Sequence, residues 1–309
     1  MTNTTDAVII WNDQVFAYSE SGKYIYSYRQ TDGKWNGYWR FPVKLLPLQG
    51  SSPQRHGSYW EFIVGSPVHT GIARFDLGNH IFKFSSLNIP NAPWLATVGF
   101  CGHLNWVIGE KYLYGFGAHG SVVIGVTISA PSHVWYWHPY SVIWKNEIWV
   151  SRGDASLESY SCSTGNLLRK VSLGVESPQL SIWGLARNKG TLWISTSFGG
   201  PVLYDIKKNR LSFYMQPESS SRVQGSAISG GKWWAYDPLD NSLIVGRLSH
   251  PAHQIKLGAN NPSNKWGAPN WISSIGNYIY LGGDFSQVTV IDARSQRVVQ
   301  VASELISGQ

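Results

Sequence analysis

Seven short apolar–aromatic runs recur along this 309-residue chain at intervals of 41 to 47 residues. They are Gln14-Val-Phe-Ala-Tyr, Glu61-Phe-Ile-Val-Gly, Leu104-Asn-Trp-Val-Ile-Gly, Glu147-Ile-Trp-Val-Ser, Thr191-Leu-Trp-Ile-Ser, Lys232-Trp-Trp-Ala-Tyr and Tyr278-Ile-Tyr-Leu-Gly. Aromatic and β-branched residues suit pleated surfaces, and no stretch carries the 3.6-residue period of a helix. A second strand-like segment and a tight turn precede the runs. The turns read Asn12-Asp13, Lys145-Asn146, Asn188-Lys189-Gly190, Gly230-Gly231 and Gly276-Asn277, residue types that short hairpins demand. Two more strands follow each run. In the fifth unit these are Pro201-Val-Leu-Tyr-Asp-Ile and Arg210-Leu-Ser-Phe-Tyr-Met.

A unit of this length with four strands cannot bury its apolar faces alone and must stack against copies of itself. The period predicts an all-β, seven-bladed β-propeller of four-stranded antiparallel blades, one domain over 1–309. The blades fall at about 7–44, 45–88, 89–129, 130–174, 175–216, 217–258 and 259–304. Within a blade the strands are lettered A to D from the axis outward. Ala7 to Trp11 supplies a strand A for blade 1, and Arg297 to Val301 a strand D for blade 7. Closure is therefore expected without a strand exchanged between the chain's ends.

The segments Gly190-Thr-Leu-Trp-Ile-Ser…Val202-Leu-Tyr-Asp-Ile and Ile279-Tyr-Leu-Gly-Gly…Val290-Ile-Asp give the chain a resemblance to propellers of the streptogramin-lyase-like and PQQ- or YVTN-repeat type. The resemblance covers the whole chain as a pattern. It implies the same fold. In the lyases it implies a magnesium ion held by His and Glu near the axis, a pair with no identifiable counterpart here. There is no WD dipeptide signature.

Composition narrows the class. Hydrophobic residues are 43% of the chain, enough for a core. Charged residues are 14%, against about 25% in an average soluble protein. The surface must then be largely neutral and polar, which suits an extracellular, virion or assembly-embedded protein. The net charge of +7 comes from scattered basic residues, so no nucleic-acid stripe is read; acidic glycans or an anionic surface fit better. The first ten residues carry no signal-peptide pattern, and no apolar run is long enough to span a membrane. The expectation is an intracellular or virion-associated protein without membrane insertion. Cys101 and Cys162 are expected to be free: two strand positions separate them radially, roughly 9–10 Å, where a bridge needs Cα atoms within about 7 Å.

Strand alternation puts the D-to-A and B-to-C connections at one end of every blade. The D-to-A connections collect aromatic and basic residues: Arg55 and His56 in 45–56, Trp94 in 88–94, and Trp135, Trp137 and His138 (with His133) in 129–140. Further along come Trp183, Arg222 in 216–225, and Lys265, Trp266 and Trp271 in 257–271. A Trp beside a polar group stacks on a sugar or anchors a protein hot spot, although Trp can equally wedge between blades. Trp135 and Trp266, in mid-loop, are the best candidates for recognition. The B-to-C turns carry Glu20, Glu110, Asp154, Asp237 and Asp284. These either cap their own turns or supply an acid–base pair or a cation site.

Other motifs fail on context. Gly115-Phe-Gly-Ala-His-Gly120 precedes a strand rather than a helix, so no dinucleotide is implied. His250-Pro-Ala-His253 and His133…His138 have poor zinc spacing, and no Gly-x-Ser-x-Gly elbow exists. Arg152-Gly-Asp154 spells an adhesion tripeptide in a turn.

The sequence thus favours a non-enzymatic recognition or scaffold module, without cofactor or metal. Its partner would be a glycan or protein subunit, in a virion or surface assembly. The alternative is a metal-assisted lyase or hydrolase at the axial funnel, with His56, His138 or Arg222 acting beside a turn carboxylate.

Overall fold

Apolar strands punctuated by Gly, Asn and Asp turns fold as successive hairpins. The computed structural model describes residues 7–19, 23–32, 34–42, 46–47, 53–66, 69–87, 89, 95–109, 111–117, 120–128, 140–152, 155–173, 182–196, 202–213, 224–237, 241–247, 250–257, 269–283 and 285–303. All regular structure among them is strand.

Blade 1 holds β1 (Ala7–Trp11), β2 (Gln14–Ser19), β3 (Tyr24–Arg29) and β4 (Trp35–Arg40). Blade 2 holds β5 (Leu46–Pro47), β6 (Gln54–His56), β7 (Tyr59–Ser66), β8 (His69–Asp76) and β9 (Phe82–Leu87). Blade 3 holds β10 (Leu95–Cys101), β11 (Leu104–Gly109), β12 (Tyr112–Phe116) and β13 (Val122–Thr127). Blade 4 holds β14 (Ser141–Trp144), β15 (Glu147–Ser151), β16 (Ser156–Ser161) and β17 (Leu167–Ser172). Blade 5 holds β18 (Ile182–Asn188), β19 (Thr191–Thr196), β20 (Val202–Asp205) and β21 (Arg210–Phe213). Blade 6 holds β22 (Gln224–Ser229), β23 (Lys232–Asp237), β24 (Ser242–Arg247) and β25 (His250–Lys256). Blade 7 holds β26 (Pro269–Ile275), β27 (Tyr278–Gly283), β28 (Phe285–Asp292) and β29 (Arg297–Ser303).

Each sheet runs in chain order, strand pairing with the next, and every pairing is antiparallel. The fold is the expected seven-bladed β-propeller. Strand A of blade 2 departs from the pattern, because its two fragments β5 and β6 both pair with β7. Residues 1–39 with 179–309 make one compact unit holding blades 5, 6, 7 and 1; residues 40–178 make a second holding blades 2 to 4. Among the described residues, the four strands of blade 1 all fall within 7–40 and those of blade 7 within 269–303, so no described strand is exchanged between them. Val15, Ala17 and Tyr26 of blade 1 pack there against Tyr280, Val288 and Val290 of blade 7.

Strand B carries the core. It lies between neighbouring sheets and is buried on both faces, so its sequence is nearly continuous in apolar residues. Its third residue is Phe16, Trp106, Trp149, Trp193, Trp234 or Tyr280 in six blades, each exposed by 1% or less. Strand D, at the edge, alternates instead.

The A-to-B hairpins have two-residue turns, as in the register pairs Trp11↔Gln14, Cys101↔Leu104, Ser229↔Lys232 and Ile275↔Tyr278. Both turn residues have positive φ at Asn12–Asp13, Gly102–His103 and Gly230–Gly231, the backbone that matches strand twist.

The C-to-D turns share another construction. Asp76, Asp205 and Asp292 end strand C in blades 2, 5 and 7. Each Oδ1 accepts the backbone N–H groups two and three residues ahead, at 2.7–3.1 Å. Ser161 Oγ accepts Ser163 N–H and Thr164 N–H, both at 3.3 Å, in blade 4. Four residues after the cap the chain takes a positive φ, at His80, Gly165, Asn209 and Gln296. The residue just after the cap is Leu77, Cys162, Ile206 or Ala293, each exposed by 2% or less. Its N–H turns back and donates to the A-to-B hairpin of its own blade, at Ser58 O, Asn146 O, Gly190 O or Asn277 O, at 2.7–2.9 Å.

This construction overturns the expectation of free thiols. Cys101 and Cys162 form a disulfide with Cα atoms 5.5 Å apart. Cys101 ends β10 as read from the sequence, whereas Cys162, expected on the third strand of blade 4, is the first turn residue after β16. The error lay in counting strands across one sheet to measure a distance between two facing sheets. Val98, Cys101 and Trp106 of blade 3 pack against Ile148, Tyr160 and Cys162 of blade 4. The C-to-D turn draws Cys162 back over its own hairpin, where Cys101 Sγ also sits 3.5 Å from Lys145 O. A Cβ at Gly102, which has φ +60°, would stand 2.6 Å from Cys162 O, so this approach requires glycine.

Two outcomes follow for stability. The bond closes a loop of sequence separation 61, so the double variant Cys101→Ser/Cys162→Ser should lose about 2–4 kcal/mol in urea unfolding. Thiol titration of the unfolded, unreduced chain should find none, and two thiols would refute the bridge. Asp76 is held below the usual carboxylate range, first by the Asn79 backbone N–H and then by that of Gly78, which outweigh its burial. A lowered folded pKa adds stability above the ordinary carboxylate value that disappears as pH falls through the folded one. Asp76→Asn should therefore cost about 1 kcal/mol at pH 7 and nothing near pH 2, measured by denaturant unfolding.

Candidate functional site

Strand direction gives each blade two unlike ends. At one lie the A-to-B hairpins and C-to-D turns described above. From the other leave the D-to-A connections, residues 88–94, 128–140, 173–181, 214–223 and 257–268. Trp94, Trp135, Trp137, His138, Arg222 and Trp266 fall there and lie outside the described residues, as do Glu20, Glu110, Asp154 and Asp284. Trp183 and Trp271 are strand positions, in β18 and β26.

Arg55 and His56 are placed elsewhere than expected. They end strand A of blade 2 and pair as Arg55↔Trp60 and His56↔Tyr59 across a two-residue turn, at the hairpin end of the blade. The stretch 45–56 reads as a loop because Pro47, Gly50, Ser51, Ser52 and Pro53 interrupt it. Strand β7 nevertheless pairs with both of its ends. Arg55 and His56 therefore do not belong to the D-to-A loop face.

His56 belongs to a polar chain that crosses the whole of blade 2. Glu61, 4% exposed, occupies the third position of strand B, where the other six blades bury an aromatic ring. Arg74 Nε donates to Glu61 Oε1 at 2.6 Å, and Arg74 Nη1 donates to Ser85 Oγ at 3.2 Å. His56 Nδ1 lies 3.8 Å from the same Glu61 oxygen. The imidazole stacks on Phe100 of blade 3, with centroids 4.9 Å apart and planes 12° apart. Phe100 is 48% exposed and His56 is exposed, so the stack is open to solvent. Sequence reading missed the roles of Glu61 and Arg74, because the run Glu61-Phe-Ile-Val-Gly starts two residues late in strand B and so sets Glu61 beside Gln14 and Glu147 rather than in the aromatic column.

Blade 4 holds a second buried charge group. Arg152 Nε lies 3.4 Å from Glu158 Oε2, and Lys170 Nζ lies 3.5 Å from Glu158 Oε1. Tyr160 donates its hydroxyl to Glu158 Oε2 at 2.6 Å. Burial, then that hydrogen bond, raises the Tyr160 pKa. The Arg152 side chain is only 3% exposed, so the Arg-Gly-Asp spelling does not present its guanidinium to solvent.

Asp237 closes strand B of blade 6 opposite Ser242, and both are fully buried. It lies at the B-to-C end, as the sequence placed it. Among the described residues no group of three His, Cys, Asp or Glu side chains is gathered as a metal site, and no helix is long and apolar enough to cross a membrane.

No protein-family model matches the chain, and no curated protein sequence matches it. Solved structures do. Virginiamycin B lyase from Staphylococcus aureus, in a catalytically inactive form with quinupristin, superposes with a TM-score of 0.72 at 12% identity, covering 92% of each chain. A streptogramin B lyase gives 0.70 at 13% identity, over 92% of this chain and 91% of that one. BamB from Moraxella catarrhalis gives 0.64 at 15% identity, over 98% and 91%. The class of protein is thus the seven-bladed propeller, and at these identities the likeness is one of fold.

The ion pair in blade 2 sets a test of the cluster. Arg74→Ala would leave Glu61 as a buried charge without its guanidinium, a loss of about 3 kcal/mol in chemical denaturation. A double-mutant cycle with Glu61→Gln should show strong coupling; additive losses would mean that the pair contributes nothing.

Proposed function

We propose that this propeller is a non-enzymatic recognition or scaffold module that takes a glycan or a protein subunit on its D-to-A loop face, in a virion or surface assembly. One observation carries the reading. The described A-to-B and C-to-D connections are short, whereas the D-to-A connections 128–140 and 257–268 are far longer and carry Trp135, Trp137 and Trp266, and long connections are where partners are usually contacted. The neutral, polar composition supports it, as does the disulfide, since such bonds persist in oxidising surroundings.

The alternative, a metal-assisted lyase or hydrolase, is favoured by the buried Asp237 at that same end and by the fold shared with the lyases. His56 drops out of that alternative because it sits at the other end of its strand.

Trp135→Ala and Trp266→Ala test the reading when melting and binding to a glycan array are measured together. Melting should change by less than about 1 kcal/mol, with binding reduced at least tenfold. A stability loss of about 3–5 kcal/mol with binding intact would make both rings structural wedges. A turnover activity abolished by chelator would shift the assignment to the enzyme.

A further inference from the structure

The hairpin end of blades 5 to 7 gathers nine of the chain's 25 Lys and Arg residues. Blade 5 presents Arg187 and Lys189 at its A-to-B hairpin, with Lys207, Lys208 and Arg210 at its C-to-D turn, all exposed. Blade 6 adds Arg247, exposed at the end of strand C, and Lys232 at the start of strand B. Blade 7 adds Arg294 and Arg297, both exposed. Two carboxylates, Asp205 and Asp292, share this end among the described residues, and each is occupied in capping its own turn. Lys208 Nζ stands 3.9 Å from Asp205, a solvent-exposed pair of little strength. Blade 1, by contrast, is balanced: Arg29 pairs with Asp32 at 3.0 Å.

These groups belong to one continuous surface. Lys232 Nζ donates to Ala293 O at 3.4 Å, beside Arg294. His253 Nε2 meets Gln296 Oε1 at 3.0 Å, and Ser229 Oγ donates to Gly276 O at 2.9 Å, so the turns of blades 6 and 7 are locked side by side. Trp193 and Trp233 stack between blades 5 and 6. Burial, then the nearby Arg247 charge, lowers the Lys232 pKa.

We propose that this end of blades 5 to 7 binds an acidic polysaccharide carrying sulfate or carboxylate groups, a site separate from the D-to-A face. Charge complementarity selects a polyanion, and five of the nine basic groups are Arg, whose planar fork fits sulfate and carboxylate in pairs. Apart from the buried Lys232, the cations are exposed on turns and strand ends over three successive blades, an arc suited to an extended chain rather than to one small anion. The Cys101–Cys162 disulfide favours a glycan over a nucleic acid, because oxidising compartments are rich in the former.

The test uses the intact chain with dextran sulfate, neutral dextran and duplex DNA, titrated between low and high salt. Dextran sulfate should bind, neutral dextran should not, and affinity should fall steeply with salt, as ion pairing requires. Lys207→Glu/Lys208→Glu and Arg294→Glu/Arg297→Glu should each weaken binding at least tenfold with unchanged melting. Lys23→Glu/Lys111→Glu changes the net charge equally at the other end of its blades and should stay within twofold. Equal losses in all three variants, binding that ignores salt, or tighter binding to duplex DNA than to dextran sulfate would each overturn the proposal.

Discussion

The structure depends on a short backbone bond repeated from blade to blade. In four blades the N–H after the strand C cap donates to the carbonyl of the A-to-B hairpin, at Ser58, Asn146, Gly190 and Asn277. An unpaired buried N–H costs about 1–3 kcal/mol, so satisfying it fixes the turn's orientation. The bond ties the first hairpin of a blade to the second and drives one apolar residue under the turn. It thereby keeps that end of those four blades compact.

The same constraint decides the fate of the cysteines. Leu77, Ile206 and Ala293 fill the tucked position with hydrocarbon, and in blade 4 Cys162 fills it with sulfur. Its neighbour across the blade interface is Cys101, and glycine at 102 clears the backbone between them. A place built for packing becomes a covalent link between blades 3 and 4. Blade 2 varies a different position. There the buried aromatic column is interrupted by Glu61, and Arg74 with Ser85 extends the polar path to strand D. Arg152, Glu158, Tyr160 and Lys170 supply the equivalent polar group of blade 4. Both groups lie in the 40–178 unit.

Charge is distributed with the same logic. Turn carboxylates serve the backbone first: the Asp292 pKa is lowered above all by the Ser295 N–H, with the Arg294 N–H acting in the same direction against its desolvation. Basic residues offer no acceptor and cannot cap a turn's N–H groups. At the hairpin end of blades 5 to 7 Lys232 donates to the Ala293 carbonyl, and the other basic residues are exposed. A net positive sequence becomes, on folding, a locally positive surface.

By itself the sequence determined the fold class, the number of blades, the two-residue hairpins and the absence of exchange among the described strands of blades 1 and 7. Each rests on local rules: a period near 44 residues, strand alternation, and turn residues that accept positive φ. Only the tertiary structure decided the rest. Arg55 and His56 looked like loop because Pro and Gly precede them, yet β6 pairs with β7 and places both on an inner strand. Glu61 entered the aromatic column only through the register of β7, and its partner Arg74 lies across the sheet. The basic residues looked scattered because they are spaced along a chain that returns to the same end once per hairpin. Cys101 and Cys162 looked too far apart because strand counting measures distance within a sheet, whereas the packing of facing sheets and the inward fold of one turn set the distance between them.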